Sequence, residues 1–447
     1  MPKRRDHHLP LSPDITCPAL VNGDGKLVLQ PPGRFSDDSG AEHSSSETTT
    51  SCVDEVANHT WMLEITYRAK GRWKLPGVAT VENGEERFTQ YFESNETGTR
   101  LLNLTGVGSL TDIVLAPVNC TIEPQATLYG FRRPHLEDGP ILIIAPHPDD
   151  AELAAYGLYS RHPKQTWIVT LTAGERLKRL DKQYLPGLDA TLEEGSRRKG
   201  LIRAWNSATT PLLASVPAEQ LIMLGYFNDT LPKLLETPDA TVPSYGDPAL
   251  TPRDFRCWNT FALPSDPTAE NRGVDLLEDL STILSKIKPT TVLVTHPEID
   301  PHHDHVASAK ALAKAMSHSG HVPERVLLYA NHLKGARGFP NGPAHAAAGV
   351  WPTSQSTSQM PSWRLHSEPL SLEAQKSKAL SLDSMHDLRG KKSLERQLKR
   401  WLRRKKSALE SGAWKDYGDH DFFQTHIKAH ENFVVINGKR FLAEISH

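Results

Sequence analysis

The stretch Ile141-Leu-Ile-Ile-Ala-Pro-His-Pro-Asp-Asp-Ala-Glu152 constrains the fold more than any other. The apolar run from Ile141 to Ala145 reads as a short buried strand. It stops at Pro146, and His147, Asp149 and Asp150 follow at once, before the helical-looking Ala151–Tyr159. Side chains just past the C-terminal end of a parallel strand lie where open α/β sheets place their sites. An imidazole and two carboxylates within four residues can share a metal and a general base.

The pattern around this stretch is an alternation. Strands are predicted at 141–145, 166–172, 220–224, 291–295 and 325–330, and helices at 150–160, 192–205, 273–287, 304–317 and 372–382. Strands alternating with helices imply an α/β domain with a mostly parallel, Rossmann-like sheet and helices on both faces. It is assigned to residues 136–447. Two long insertions rich in Pro, Gly and Ser, about 229–270 and 335–366, are expected to rim the substrate site.

The N-terminal third reads differently. Residues 1–55 are polar, include the run Ser44–Ser51, and are expected to be loop or partly disordered. Over 56–135 the pattern is β-like: Trp61, Leu63, Ile65 and Tyr67 alternate with Met62, Glu64 and Thr66, and turn residues such as Asn83-Gly84 separate further short strands. A small all-β, sandwich-like accessory domain is predicted. Trp61, Tyr67 and Trp73 suit sugar stacking, but the plainer expectation is that they are core.

With 447 residues the chain is long enough for two or three domains, and its net charge of −2 gives it no overall attraction to nucleic acid. Cys17, Cys52, Cys120 and Cys257 form no CxxC pair, so reduced thiols are expected. The charged N-terminus lacks a following apolar region and no stretch is apolar enough for a membrane span, so the expected location is cytoplasmic. The strongest charge anomaly is Arg389–Lys406, where Leu394, Leu398, Trp401 and Leu402 share one helical face among lysines and arginines. It reads either as a surface helix packed by its apolar stripe or as a peripheral contact with an anionic membrane or phosphorylated glycolipid, at the inner membrane face.

A second cluster, His296-Pro-Glu-Ile-Asp-Pro-His-His-Asp-His305, follows the predicted strand 291–295 and enters a helix near Asp304. Two His/Asp clusters, each after a parallel strand, are placed to converge on one ion. His147-Pro-Asp-Asp-Ala-Glu152 together with His302-His-Asp-His305 resembles the two signatures of the PIG-L/LmbE-type metal-dependent N-deacetylases. The resemblance covers about residues 138–436. Val169–Glu175 is similar to the family's strand ending in Thr-x-Gly-Glu, Leu224–Asp229 to its Leu-Gly-Tyr-x-Asp element, and Lys376–Leu380 to its late helix.

The resemblance implies a Zn²⁺, with Fe²⁺ as the alternative ion, held by His147, Asp150 and His305. It implies Asp149 as general base, His302 as the histidine serving the carbonyl oxygen or leaving group, and Asp304 as a carboxylate orienting His302. Glu175, Arg197, Arg198 and Asp229 are the candidate substrate-binding residues. The family's Arg-x-x-Glu helix is matched only loosely by the region holding Arg197, Arg198 and Arg203, Asn228 stands before Asp229 where many members have proline, and the late Ser-Gln element is replaced near Ser384–His386. Glu152 reads as a helix-start carboxylate supporting the site. His296 and His303 are lesser candidates, and His426 and His430, at helical spacing, read as surface or core.

The chemistry agrees. Two imidazoles and a carboxylate form a common catalytic zinc set with a position left for water. Asp149 adjoins a ligand and can take the water's proton, while Zn²⁺ and a protonated His302 share the oxyanion charge. The expected activity is zinc-dependent removal of the N-acetyl group from an N-acetylhexosamine in a glycoconjugate, such as a lipopolysaccharide-core or other cell-envelope glycan. The partner is then an N-acetylated glycan or glycolipid. The alternatives are another metal hydrolase, such as a phosphoesterase, and a non-catalytic carbohydrate-binding protein.

Overall fold

The computed structural model describes residues 2–7, 9–30, 56–70, 75–84, 86–333, 339–351, 362–389 and 425–445. Trp73, Cys52, the run Ser44–Ser51 and nearly all of the basic segment 389–406 lie outside the described residues. The chain divides into two compact units, one of Met1–Pro134, Gly338–Ser371 and Lys428–Val434, the other of His135–Arg337, Leu372–Ile427 and Val435–His447.

The first unit is built on β1 (Lys3–Arg4), β2 (Ile15–Val21), β3 (Leu27–Leu29), β4 (His59–Ala69), β5 (Gly77–Asn83), β6 (Glu86–Phe92), β7 (Glu96–Asn103), β8 (Val114–Val118) and β9 (Cys120–Arg132). They form a six-stranded sheet in the order β1-β7-β4-β9-β2-β3 and a three-stranded sheet β6-β5-β8. Both sheets contribute to one core that includes Trp61, Leu63, Ile65 and Leu102 from the first and Ala79, Val81 and Leu115 from the second. The sandwich-like expectation therefore holds. Trp61 is fully buried with its indole N–H donating to the Val56 carbonyl at 3.1 Å, and the Tyr67 hydroxyl donates to the Glu93 carbonyl at 3.1 Å. Both are core, and neither presents a face to a sugar.

One expectation changes here. The segment before residue 31 is not loop: β2 pairs antiparallel with β9 from Ile15↔Gly130 to Leu20↔Gln125, because alternate residues Cys17 and Ala19 turn into the core. Pro18 within the run concealed its period of two. Among the described residues, Cys120 and Cys257 are free thiols.

The second unit carries β10 (Ile141–Ala145), β11 (Thr166–Thr172), β12 (Leu221–Tyr226), β13 (Thr291–Thr295) and β14 (Arg325–Tyr329). All neighbouring pairs are parallel, in the order β12-β11-β10-β13-β14. β10, β12 and β13 are buried at every residue, which is why they read as unbroken apolar runs rather than alternations. Helices α1 (Asp150–Arg161), α2 (Leu192–Thr209), α3 (Leu231–Glu236), α4 (Gly273–Ile287), α5 (His303–Ser319) and α6 (Leu372–Ser384) flank the sheet. α2 starts on a capping box between Thr191 and Glu194.

The strand order decides where a site can form. From β10 the chain moves outward to β11 and β12, then returns to place β13 on the other side of β10, with Ile141↔Thr291 and Ile143↔Leu293 in register. The direction of winding reverses between β10 and β13. The crevice beyond their C-terminal ends is the switch point at which doubly wound sheets bind ligands. The segments leaving these two strands carry the two His/Asp clusters.

Candidate metal centre

Three donor atoms meet at this switch point. His147 Nδ1 lies 3.2 Å from Asp150 Oδ2 and 3.2 Å from His305 Nε2, and His305 Nε2 lies 3.3 Å from Asp150 Oδ2. A tetrahedral ion with bonds of about 2.0–2.1 Å needs ligands about 3.3–3.4 Å apart. The three atoms already form one face of such a tetrahedron, on residues that are all buried. His302 stands beside them, with a ring nitrogen within 4.8 Å of those of His147 and His305. The donor set and its spacing fit a borderline-soft divalent cation such as Zn²⁺.

Each donor is fixed from behind. His147 Nε2 is 3.1 Å from Asp304 Oδ2, and His305 Nδ1 is 2.9 Å from Asp300 Oδ2. Asp150 keeps Oδ2 turned to the histidines because Asn331 Nδ2 donates to its Oδ1 at 2.8 Å, and the His147 backbone N–H donates to Oδ2 at 2.9 Å. A carboxylate on the far nitrogen of each imidazole sets its tautomer and raises its basicity. Asp304 therefore orients His147, not His302 as expected. Its backbone N–H instead donates to His302 Nδ1 at 3.2 Å, making His302 the N-cap of α5.

Electrostatics favour a cation. Burial works against charge on His147 and His305, but the surrounding carboxylates outweigh it: His147 is held above its ordinary value and His305 is pushed up to about 10. Asp150 is subject to burial too, yet His305 and His147 hold it well below the carboxylate range. Asp150, Asp300 and Asp304 crowd buried carboxylates around two imidazoles, and buried anions demand compensating positive charge.

Asp149 is placed for different work. Its φ of 132° lies in the left-handed region, which a residue with a side chain occupies only at a cost of about 1–3 kcal/mol. Burial raises its carboxyl pKa, and the Arg203 guanidinium pulls the other way. Arg203 Nη2 donates to the Pro148 carbonyl at 2.9 Å and to Asp149 Oδ1 at 3.4 Å, while Nη1 pairs with Asp387. Gly174, at φ +60°, makes room: a Cβ there would stand 2.4 Å from Arg203 Nε.

Burial, with His147 and His305, pushes His302 down to about 4. At neutral pH its ring is neutral, not protonated as expected. Since Nδ1 accepts from Asp304, the ring proton sits on Nε2.

The candidate substrate residues divide. Arg197 pairs with Asp247 at 3.0 Å and Arg198 with Asp189 at 2.8 Å, so neither reaches the centre. Arg203, one turn further along α2, is the arginine that does. Glu175 is fully buried, accepting from the Asn228 backbone at 2.9 Å and Ser244 Oγ at 2.7 Å; it pins the chain after β12. Asp229 borders the centre: its backbone N–H donates to Asp304 Oδ2 at 2.7 Å and its Oδ1 lies 3.1 Å from His303 Nε2. His296 is buried and accepts from the Glu298 backbone at 3.2 Å, closing a turn. His430 begins a strand, so it shares no helical face with His426. Burial pushes Glu152, behind Asp149 and Asp150, up to about 8.

Asp300, Asn331 and Arg203 are the residues that sequence reasoning did not place. Asp300 stands inside the second cluster, and Asn331 two residues past the buried strand β14, the same strand-end signal that marked His147.

Comparison with known proteins adds the following. Residues 142–316 match the model of the family described as "PIG-L: GlcNAc-PI de-N-acetylase". The chain is similar to the zinc-inhibited form of teicoplanin deacetylase Orf2, at 16% identity and a TM-score of 0.33, covering 67% of this chain and 98% of that one. It is also similar to a deacetylase–teicoplanin complex, at 15% identity and a TM-score of 0.33 with the same coverage. The 4-carboxy-2-hydroxymuconate hydratase GalB of Pseudomonas putida KT2440 is similar at 12% identity and a TM-score of 0.29, covering 66% and 95%. No curated protein matches. Among the described residues no helix is long and apolar enough to cross a membrane. Both signature clusters fall within the matched segment, and residues 142–316 thus carry a domain of the PIG-L deacetylase family.

Proposed function

We propose that this chain hydrolyses the N-acetyl group of an N-acetylhexosamine within a glycoconjugate, such as a lipopolysaccharide-core or other cell-envelope glycan, in a zinc-dependent reaction that releases acetate and a free amine. The observation that carries this reading is the triangle of His147 Nδ1, Asp150 Oδ2 and His305 Nε2 with edges of 3.2–3.3 Å, with Asp149 next in the chain.

His147, Asp150 and His305 would hold the ion, and Asp300, Asp304 and Asn331 keep them in place. A Zn²⁺ bound there supplies Lewis acidity for the amide carbonyl and lowers the pKa of a water to roughly 7. Asp149 takes the proton of the attacking water on its carboxylate and gives it to the departing amine. Its buried position, with Arg203 opposing a full rise in pKa, suits a base that must also return the proton. His302 donates its Nε2–H to the carbonyl oxygen as negative charge develops. As a neutral imidazole it stabilises that charge without competing for the proton held by Asp149.

A two-metal phosphoesterase would need a carboxylate bridging two ions. Among the described residues the second group of close donors, Asp229, His302 and His303, shares only a histidine with the first, which supports the one-ion reading.

The test is acetate release from N-acetylglucosamine conjugates by zinc-loaded protein. Asp149→Asn is expected to lower kcat by about 10²–10⁴-fold while zinc still binds. Full activity in that variant refutes the assignment of the base. Contact of the segment 389–406 with anionic lipid is a separate part of the proposal. Co-sedimentation with anionic liposomes that is unchanged when Arg403, Arg404, Lys405 and Lys406 become serine rules it out.

A further inference from the structure

Asp149 occupies a strained turn at φ 132°, and such strain persists only where the surroundings over-determine the backbone. The side chain that reaches the turn is Arg203, whose Nη2 donates to the Pro148 carbonyl at 2.9 Å and to Asp149 Oδ1 at 3.4 Å. An arginine carries about 2 kcal/mol of rotamer entropy, so a fork that fixes another group must itself be fixed. Its Nε does not do this: that atom is buried and has no hydrogen-bond partner among the described residues. The orientation of the fork therefore rests on Nη1, and Nη1 pairs with Asp387.

Asp387 stands on the turn His386–Arg389 that follows α6. That turn is docked on α2 close to Arg203. Asn206 Nδ2 donates to the Ser384 carbonyl at 3.3 Å, and Asn206 Oδ1 accepts from the His386 backbone N–H at 3.3 Å. Both oxygens of Asp387 are engaged. Oδ2 faces Arg203 and lies 3.4 Å from Lys199 Nζ, while Oδ1 accepts from the Tyr184 hydroxyl at 2.5 Å. Burial pushes Tyr184 up to about 12, so the phenol keeps its proton and donates at neutral pH.

Tyr184 belongs to the segment between β11 and α2, and its ring lies against His386 with centroids 5.5 Å apart. β11 runs parallel to β10 with Ala145↔Thr170 in register, so this segment leaves the sheet on the same side as His147 and Asp149. It is pinned further on, where Gln183 Oε1 accepts from the Asp189 backbone N–H at 2.8 Å and Arg198 Nε donates to Asp189 Oδ1 at 2.8 Å. A chain of contacts thus runs from the rim of the centre to the base: Tyr184, Asp387, Arg203, Asp149.

We propose that Asp387 and Tyr184 are positioning residues for the general base. Through the Arg203 fork they hold the Pro148–Asp149 turn and tie it to the rim segment after β11, so that turnover depends on side chains two and three contacts behind the base. This rests on the de-N-acetylase reading, which makes Asp149 the base.

The zinc-loaded full chain is assayed for acetate release from the methyl glycoside of N-acetylglucosamine. Asp387→Ala is expected to lower kcat about 10–100-fold, the scale of a small misplacement of a reacting group, with KM and zinc affinity within about twofold of the parent. Tyr184→Phe removes one hydrogen bond at a half-buried position, and is expected to lower kcat about 2–10-fold with the melting temperature unchanged. In an Arg203→Lys background both losses should largely vanish, because they act through the fork. Losses that add to that of Arg203→Lys, a rise in KM at unchanged kcat, or a parental kcat in both variants overturn the relay, while acetate release by the parent leaves the deacetylase reading standing. Hydrogen exchange read by mass spectrometry needs no turnover. Asp387→Ala is expected to speed exchange over residues 147–153 and to leave 141–145 unchanged. That result without acetate release from the parent supports the relay and refutes the reaction on that sugar, whereas unchanged exchange over 147–153 overturns the relay.

Discussion

Asp300→Asn is the most searching perturbation of the centre, because Asp300 was unassigned from sequence and yet holds four groups. Its Oδ2 lies 2.9 Å from His305 Nδ1 and accepts from the backbone N–H of Asn331 at 2.9 Å and of His332 at 3.0 Å, while Oδ1 accepts from His302 N–H at 3.2 Å. An amide has one accepting oxygen. Placed where Oδ2 was, it keeps three contacts, and its NH₂ then faces the His302 N–H, donor against donor. The residue is fully buried, so that clash costs about 1–3 kcal/mol of stability. The loss of negative charge behind His305 makes its Nε2 a poorer donor to a cation. Removing such a partner typically weakens metal binding about 10–100-fold, or about 1.4–2.7 kcal/mol. Zinc affinity is measured by competition with a chromophoric chelator, and stability by thermal melting of the chelated protein. Zinc affinity within twofold of the parent, with an unchanged melting curve, refutes the view that Asp300 fixes His305. The acid limb supplies a second check. Burial raises the Asp300 carboxyl but His305 holds it below its ordinary value, so its contribution is present above about pH 4 and is lost as pH falls through the lower folded value. Asp300→Asn should flatten that limb.

Other expectations follow from the same geometry. Arg203→Lys loses the fork spanning Pro148 and Asp387, and should cut kcat about tenfold or more with zinc affinity retained, whereas Arg197→Ala, which breaks only a partly exposed pair with Asp247, should leave kcat within about twofold. Gly174→Ala forces a Cβ against Arg203 at φ +60°, and should cost about 1–3 kcal/mol in denaturant melts together with activity. Glu152 has a folded pKa raised to about 8 by burial, so the unfolded state gains by its ionisation from about pH 4 upward. Glu152→Gln in chelated protein should therefore raise Tm more at pH 8 than at pH 5; an equal effect at both contradicts a buried neutral carboxyl.

Much of the second unit was legible because its signals are local. β10, β11 and β13 and helix α4 have the bounds that apolar runs and helical periodicity predict, since strands buried on both faces admit little but apolar side chains. Strand ends followed at once by His and Asp marked both halves of the site. The strand β2 escaped detection because its inward positions Ile15, Cys17, Ala19 and Val21 span only seven residues, and Pro18 within the run argues against a strand.

The sequence by itself determined the donor types, their spacing within each cluster and the strand–helix rhythm that carries them, because these depend on neighbours in the chain. What only the tertiary structure decided is which residue serves which. Asp304 lies one position from His305 and two from His302 in sequence, yet orients His147 across the switch point, and Asp300 rather than Asp304 supports His305. Arg203 displaces its neighbours Arg197 and Arg198 as the arginine at the centre because the helix turns those two toward Asp247 and Asp189. Such pairings are set by strand order and helix rotation, which place side chains from distant segments within about 3 Å of one another, and no spacing along the chain records that distance.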